Sequence, residues 1–203
     1  MIAGLLMTLR GTPFVFEGQE IGMVNGDFAN LDEVEDIESH NIYAMAKGLG
    51  IPKGIRWKMI QRTSRDNART PMQWSADAHA GFSRETPWLK VNGNYSEVNV
   101  AAERERVDGV LAFWKKMIRL RRENEILCEG SFKAIWEGKQ IYAFARELDG
   151  KKLISVSNMS GKNVKLPKAL QNCGRMIISS YGESDERQMK PFEFRLYSGE
   201  DQT

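Results

Sequence analysis

The chain has 203 residues, 41 % of them hydrophobic and 9 % aromatic, which is enough to build a core in one medium domain or in one small domain plus part of another. Its 29 Lys and Arg residues nearly balance its 27 Asp and Glu residues, and the excess is spread along the chain, which disfavours a nucleic-acid-binding stripe. The densest basic group lies on one predicted helix and is typical of a solvated helix face.

The two cysteines and the apolar start of the chain bear on its location. Cys128 and Cys173 are far apart and have no Cys or His near them, which favours reduced thiols in a cytosolic protein over a zinc site or a disulfide framework. The stretch "MIAGLLMTL" is too short to span a bilayer and has no basic segment ahead of it, so we interpret it as the end of a buried helix rather than a signal fragment. We therefore expect a cytoplasmic protein with no membrane and no nucleic-acid partner.

The first predicted elements are typical of the end of an α/β domain. Residues 1 to 10 form the last turns of an apolar helix, which Gly11 ends. "TPFVFEG" then predicts a short strand that is buried on both faces, because Phe14, Val15 and Phe16 make a continuous apolar run after a proline. Such a strand suggests a parallel sheet or barrel. No further βα unit follows it, so we expect the chain to begin near the end of an α/β domain.

The next hundred residues are predicted to hold two helices and a long loop. Apolar spacing predicts a helix over 32–47 and a shorter one in "IPKGIRWKMIQR". Regular signals then disappear from Ser64 to about Asn99, a length that is uncommon for a loop unless it is functional or disordered. Four large apolar residues are expected to anchor it: Trp74, Phe82, Trp88 and Tyr95. We therefore predict an ordered, functional loop.

The last part of the chain is predicted to be one helix followed by β-structure. An apolar stripe predicts a helix over 101–125, carried by Val107, Val110, Leu111, Trp114, Ile118 and Arg121. Six short strands are predicted in "SFKAIWE", "QIYAFARE", "KLISVSN", "NVKL", "RMIISSY" and "FEFRLY". Asp149-Gly150 is the strongest hairpin turn among the signals between them. The pattern predicts a small antiparallel sandwich or curved sheet.

Common catalytic motifs are missing from the sequence. There is no G-x-S-x-G elbow, no glycine-rich phosphate loop and no metal-ligand spacing, and His40 and His79 are the only histidines. We therefore expect no metal and no cofactor. Carboxylates are plentiful, but glycoside hydrolysis needs a facing pair at a defined separation, and the acidic run from Asp32 to Glu38 is typical of a solvated first helical turn.

The strongest binding candidates are two arginines in the long loop. Arg65 and Arg69 stand four residues apart in "SRDNARTPMQW", and a guanidinium can hold a carboxylate and a sugar hydroxyl together. Local salt bridges that staple the loop explain the same residues. From the residues alone, both interpretations stay open.

Four motifs in order then give a resemblance. "LRGTPFVFEGQEIGM", "DIESHNIY", "SRDNARTPMQW" and "AGFS…PW…VN.NY…NV" resemble α-glucosidases of the α-amylase-type glycoside hydrolase family, in particular the oligo-1,6-glucosidase (isomaltase) branch. The similarity covers about residues 3 to 127, and a looser match continues through the β-rich tail. One difference is visible at Glu17-Gly18-Gln19-Glu20, where relatives usually have "QGEE", so that the acid and the amide are exchanged.

The resemblance implies an α/β plus all-β fold. Residues 1–128 would be the last β/α unit of a (β/α)8 TIM barrel, with "TPFVF" as strand eight, a long loop excursion after it, and 101–125 as helix eight. Residues 129–203 would be a small antiparallel β-sandwich domain. Because active sites of such barrels lie at the C-terminal ends of the strands, "SRDNARTPMQW" is expected at the substrate pocket.

The resemblance also implies roles for single residues. Arg69 is similar to the arginine that reaches the non-reducing glucose and pairs with an aspartate further upstream, and Glu38 is similar to a glutamate that contacts the adjacent, leaving-group glucose. Arg65 and Asp66 are expected to shape the loop, and Trp74 and Phe82 to pack it.

The catalytic carboxylates of the family would precede Met1, as would its calcium-binding loop. We therefore expect the C-terminal part of a retaining α-glucosidase that hydrolyses short gluco-oligosaccharides in carbohydrate catabolism. This chain would be inactive alone, with the missing N-terminal barrel portion as its partner. The alternatives are a non-catalytic carbohydrate-binding or packing module, and one half of a split enzyme. Preference for α-1,6 or α-1,4 bonds is not predicted.

Overall fold

The computed structural model describes residues 1–199 and divides into two compact units. One unit combines Met1–Phe14 with the chain from Phe113 onward, and the other is Val15–Ala112. The expected division into 1–128 and 129–203 separates barrel from β domain and stays a prediction; residues 200–203 of its second part lie outside the described residues. Within 1–199, no helix has both the length and the apolar character to cross a membrane.

The first unit is built on an antiparallel sheet. Its strands are β1 (Ser131–Glu137), β2 (Ile141–Leu148), β3 (Lys151–Asn158), β4 (Val164–Lys165), β5 (Arg175–Ser179), β6 (Gln188–Met189) and β7 (Phe194–Gly199). Five strands pair in the order β1-β2-β3-β7-β5, and β4 pairs with β6. All six predicted strands are present, and β6 is an additional short one. Asp149 and Gly150 both have positive φ, as the tight β2–β3 turn requires.

The five-stranded sheet is covered on both faces. One face packs against the helices α1 (Ile2–Thr8) and α5 (Val110–Glu123), through a core that includes Met7, Met117 and Leu196. The opposite face packs Ala143 and Val156 against the segments around β4 and β6. This burial on both faces explains why the strands alternate weakly in hydrophobicity and still form one sheet.

The second unit contains the other long helices. These are α2 (Ile37–Gly48) and α3 (Lys53–Thr63), which pack on a core of Phe28, Val34, Ile60 and Leu89, and the short α4 (Val100–Glu105), whose Val100 packs with Ile21 and Met72. The helix predicted over 32–47 begins only at Ile37. Leu31–Glu33 instead forms a separate 3-10 turn, because the side chain of Asn30 accepts a hydrogen bond from the N–H of Asp32.

The predicted strand "TPFVF" is not formed in this structure. Residues 12–16 are irregular, and the side chain of Phe14 is 83 % exposed. A central strand of a parallel sheet takes its hydrogen bonds from neighbours on both edges, and no segment within residues 1–199 supplies them. Phe14, Val15 and Phe16 therefore stay exposed, because no sheet among residues 1–199 includes this segment.

The predicted helix over 101–125 is broken into three pieces, α4, α5 and α6 (Glu125–Cys128). The break has a local cause, because the buried carboxylate of Glu103 accepts a hydrogen bond from the N–H of Leu111 at 3.1 Å and so caps α5. A Cβ on Gly109 would lie 2.6 Å from that carboxylate, so glycine fits this turn. Val107 and Val110, predicted on the buried stripe, are exposed.

The long loop is ordered by buried amides rather than by aromatic anchors. Trp74, Phe82 and Trp88 are exposed, Trp88 by 71 %, so the prediction that they pack the loop is wrong. Asn92 is buried instead: its Oδ1 accepts the N–H of Asp27, and its Nδ2 donates to the carbonyl oxygen of Val24. Gln73 and Asn99 are buried as well. Side-chain amides can replace the hydrogen bonds that an irregular backbone lacks.

Candidate functional site

The loop with the two candidate arginines leaves α3 through a capped turn. Ser64 follows the last residue of α3, and its Oγ accepts the N–H of Asp66 at 3.3 Å, which starts the 3-10 turn Arg65–Ala68. The N–H of Arg69 then donates to the carbonyl oxygen of Asp66 at 3.0 Å. The turn therefore fixes the backbone that carries Arg65, Asp66 and Arg69.

Asp66 joins this turn to the start of α2. Its side chain is fully buried, and Oδ2 accepts the N–H groups of Glu35 at 2.7 Å and Asp36 at 2.9 Å. Its other oxygen, Oδ1, accepts a hydrogen bond from Nη1 of Arg69 at 3.3 Å. Asp66 therefore hydrogen-bonds both the start of α2 and Arg69, and its role in shaping the loop stays a prediction. The aspartate that pairs with Arg69 here is three residues before it, within the same loop.

Asp36 makes the reciprocal connection from the start of α2 to the turn. Its Oδ1 accepts hydrogen bonds from Nε of Arg65 at 3.0 Å and from Nη2 at 2.8 Å, and Oδ2 accepts Oγ–H of Ser39 at 2.8 Å. Burial favours the neutral acid and raises the pKa of Asp36, but the hydrogen bonds from Arg65 and Ser39 outweigh it and hold the pKa at about 2. Asp36 is therefore ionised at neutral pH.

The two predicted substrate-contacting residues are both presented at the surface of this cluster. The side chain of Arg69 is 44 % exposed and that of Glu38 is 62 % exposed. Glu38 Oε2 lies 3.4 Å from Nη2 of Arg65. The hydrogen bonds and charge of Asp36, and to a lesser extent the charge of Glu38, raise the pKa of the Arg65 guanidinium. The structure thus brings Arg65, Asp66, Arg69 and Glu38 into one network, with a cationic fork and an anionic carboxylate both open to a ligand.

Two cavities are relevant to the search for a sugar pocket. One of about 180 Å³ adjoins the loop and is lined by Ala68 and Thr70, the neighbours of Arg69, together with Phe16 and Glu17. A larger one of about 580 Å³ lies at the β2–β3 hairpin, and none of the described residues that line it is aromatic. Sugar pockets commonly combine polar groups with a ring face, so the cavity beside Arg69 is the better candidate.

Asp36 is a member of the candidate site that the sequence does not single out. The acidic run predicts a solvated turn there, but Asp36 is almost fully buried and hydrogen-bonds Arg65. Its position directly before α2 and three residues before Ser39 could have indicated a cap, but nothing in the sequence indicates burial. In residues 1–199, no three His, Cys, Asp or Glu side chains are grouped so that they could hold a metal ion.

The comparisons with known proteins agree on one family. The family described as "Alpha amylase, catalytic domain" matches residues 1–130. The oligo-1,6-glucosidase of Halalkalibacterium halodurans is 36 % identical over 211 residues, which cover 100 % of this chain and 38 % of the relative. The glucan 1,6-alpha-glucosidase of Streptococcus dysgalactiae subsp. equisimilis is 39 % identical over 180 residues, covering 88 % of this chain and 34 % of the relative.

A solved structure extends the likeness to the fold. The trehalose-6-phosphate hydrolase of Bacillus licheniformis superposes with a TM-score of 0.87 at 33 % sequence identity, covering 97 % of this chain and 37 % of that one. The predicted fold class, the C-terminal region of a TIM-barrel enzyme with an antiparallel sheet domain, is thereby confirmed.

Fold and sequence together place the chain in the class of proteins that combine an α-amylase-type TIM barrel with an antiparallel sheet domain. The chain belongs to the α-amylase family, and within it corresponds to the C-terminal part of the oligo-1,6-glucosidase branch. It spans a little over a third of the length of the curated relatives that it matches.

Proposed function

We propose that this chain is the C-terminal part of a retaining α-glucosidase of the oligo-1,6-glucosidase type, which hydrolyses short α-gluco-oligosaccharides in the cytoplasm during carbohydrate catabolism. The observation that carries the proposal is the network in which buried Asp66 and Asp36 present Arg69 and Glu38 to solvent. Two of the relatives described above are named for action on 1,6-linkages, which favours an α-1,6-linked substrate.

The proposed division of labour follows from the chemistry of retaining hydrolysis. One carboxylate attacks the sugar and forms a glycosyl-enzyme, a second carboxyl protonates the leaving oxygen, and water then releases the glucose. Both groups are proposed to come from the N-terminal barrel portion, outside this chain. Arg69 would donate to hydroxyls of the non-reducing glucose, and Glu38 would accept from hydroxyls of the leaving-group glucose.

The domain assignment completes the proposal. Residues 1–128 would contribute the end of the catalytic barrel, and residues 129–203 the C-terminal β domain. The irregular, exposed run around Phe14 supports a role as a strand that pairs with the barrel portion, because such a segment gains both hydrogen bonds and burial there. In the β domain Phe144 and Phe194 are fully buried, whereas Tyr181 is 47 % exposed and Phe192 is 52 % exposed, so ring burial alone does not decide against the alternative that this domain binds sugar by ring stacking.

Two measurements test the proposal. The isolated chain, incubated with isomaltose, is expected to release no glucose. A hybrid enzyme, in which the whole chain replaces the matching region of the Halalkalibacterium halodurans oligo-1,6-glucosidase, is expected to release glucose from isomaltose. A hybrid that folds and shows no turnover would contradict the proposal, as would clear turnover by the isolated chain.

The role of Arg69 is tested in the same hybrid. Arg69→Ala removes the fork from the sugar and is expected to lower kcat/KM for isomaltose by about a hundredfold, since charged hydrogen bonds to a bound ligand contribute about 1.5–3 kcal/mol each. Arg62→Ala, which changes an exposed arginine in the last turn of α3, is the matched control and should leave kcat/KM unchanged.

A further inference from the structure

Within residues 1–199, one cationic group pairs with the exposed side chain of Glu38. Glu38 is the second residue of α2, and of the groups in residues 1–199, Nη2 of Arg65 is the one that forms a salt bridge with it, at 3.4 Å. An exposed ion pair between two free side chains would fix little, because both lose rotamer entropy and the attraction is screened. Whether Glu38 has a defined position therefore depends on how firmly Arg65 is held.

Arg65 is held firmly by Asp36. Both Nε and Nη2 of the guanidinium donate to Oδ1 of Asp36, and the backbone N–H of Arg65 donates to Oδ2 at 3.3 Å. Asp36 is itself buried and is fixed by Ser39 and by the backbone bond of its N–H to Asp66. Because two donors of a planar fork share one buried acceptor, the guanidinium has a set direction although its outer part is exposed.

These contacts form a chain of three side chains with one end buried and one end exposed. The charges alternate along it, from the Asp36 carboxylate through the Arg65 guanidinium to the Glu38 carboxylate. In this arrangement the Glu38 carboxylate points to solvent, and buried Asp36 fixes its orientation through Arg65. Arg69, by contrast, takes its support from Asp66, so the two ends of a ligand would meet two separately supported side chains.

We propose that Asp36 and Arg65 are positioning residues that hold Glu38 in place for the leaving-group sugar, and so determine the preference for substrates that carry a sugar at that position. This inference rests on the proposed function. The substrate class that it favours is an α-linked glucose disaccharide or oligosaccharide over a glucoside with a non-sugar leaving group. A purely structural role would make no such distinction.

The test compares two substrates in the hybrid enzyme described above. Isomaltose carries a glucose on the leaving-group side, whereas p-nitrophenyl α-glucoside does not. Arg65→Lys keeps the charge and loses the fork, and it is expected to lower kcat/KM for isomaltose about tenfold through a higher KM, while kcat/KM for the aryl glucoside changes less than about twofold. Arg62→Lys is the matched control, and both substrates should be unaffected by it.

A double-variant cycle shows whether Arg65 acts through Glu38. In a Glu38→Gln background, Arg65→Lys is expected to cause less than about a twofold further loss on isomaltose, because the group that it orients is already changed. Additive losses would overturn the inference. An equal fall on both substrates would also overturn it, since that result indicates a general structural effect. Asp36→Asn is expected to reproduce the Arg65→Lys pattern.

A measurement on the chain itself separates this inference from the proposed function. In the ¹⁵N spectrum, the Nε–H signal of Arg65 should be shifted and slow to exchange, and Asp36→Asn should remove both features and move the carboxyl carbon signal of Glu38. If the hybrid releases no glucose, the proposed function fails and this spectrum decides the inference. A Glu38 signal that stays unchanged in folded Asp36→Asn or Arg65→Lys would refute it.

Discussion

Nη1 of Arg146, on β2, donates a hydrogen bond at 2.9 Å to the carbonyl oxygen of Thr8, the last residue of α1 and 138 positions earlier in the chain. The same guanidinium donates to the carbonyl oxygens of Leu127, Gly130 and Ser131. Arg146 is fully buried, and its partners are the negatively polarised carbonyl oxygens at and after the ends of α1 and α6. The side chain of Arg146 therefore binds the C-terminal ends of both α1 and α6 to strand β2 of the sheet.

Replacement of Arg146 is expected to destabilise the protein strongly. Arg146→Met leaves four carbonyl oxygens without their charged donor, three of them in buried contacts, and the free energy of unfolding should fall by about 3 kcal/mol or more. Urea unfolding followed by circular dichroism measures the change. Arg175→Met, at the exposed start of β5, is the control and should cost less than about 0.5 kcal/mol. Equal losses in the two variants would contradict this role of Arg146.

Two glycine substitutions are expected to act in opposite directions. A Cβ on Gly4 of α1 would lie 2.3 Å from the ring of Phe194, which is fully buried, so Gly4→Ala should lower the free energy of unfolding by about 1–3 kcal/mol despite the better helix propensity of alanine. At Gly48 of α2, no described atom outside the neighbouring residues and backbone of its own helix lies within 4 Å of the Cβ position, so Gly48→Ala should raise the free energy of unfolding by about 0.5 kcal/mol. Differential scanning calorimetry would show opposite shifts of Tm, and stabilisation by Gly4→Ala would refute the clash.

A buried ion pair at the start of β7 supplies a third prediction. Nε of Arg195 donates to Oε1 of Glu193 at 2.7 Å, and both side chains are almost fully buried. Arg195→Met would leave the Glu193 carboxylate uncompensated and is expected to cost about 3–5 kcal/mol in unfolding free energy. The double variant with Glu193→Leu should recover part of that loss, because it removes the unpaired charge. A double variant less stable than Arg195→Met would contradict this account.

Asp36 predicts a specific dependence of stability on pH. Its pKa falls from 3.8 to about 2 on folding, so the folded state binds its proton less tightly than the unfolded state does. The resulting stabilisation, on the order of 2 kcal/mol, is fully present above pH 4 to 5 and is lost as pH falls towards 2. Urea midpoints of the chain should decline through this range. Asp36→Asn should be less stable at neutral pH and show a shallower decline; an unchanged slope would count against the assignment.

Local signals predicted much of the fold. Alternating and apolar runs located all six predicted strands, and Asp149-Gly150 was correctly identified as a tight turn. These features depend on residues close in sequence. The run around Phe14 failed, because a central strand depends on neighbours and no local pattern can supply them. The broken helix failed for a related reason: the carboxylate that caps α5 belongs to Glu103, eight residues before Leu111.

The sequence predicts part of the candidate cluster, and the part that it does not predict depends on burial. The motif "SRDNARTPMQW" located Arg65, Asp66 and Arg69, and the structure joins them to Glu38. Asp36 was missed because an acidic residue before a helix is usually solvated, and only the tertiary contact with Arg65 distinguishes it. The large rings of the loop were predicted as its anchors, but its polar amides, including Asn92, hold it.

One of the side-chain amides that order the loop, that of Asn92, lies in a sequence prone to deamidation. Asn92 and Asn25 are each followed by a glycine, the neighbour that most favours loss of the side-chain amide, and asparagine is a thermolabile residue. Deamidation of Asn92 would turn a donor to the carbonyl oxygens of Val24 and Asn25 into a carboxylate facing both of them. The hydrogen bonds that hold this residue in place also restrain that reaction. Deamidation of Asn92 should therefore be slow while the loop is folded and faster once the loop unfolds.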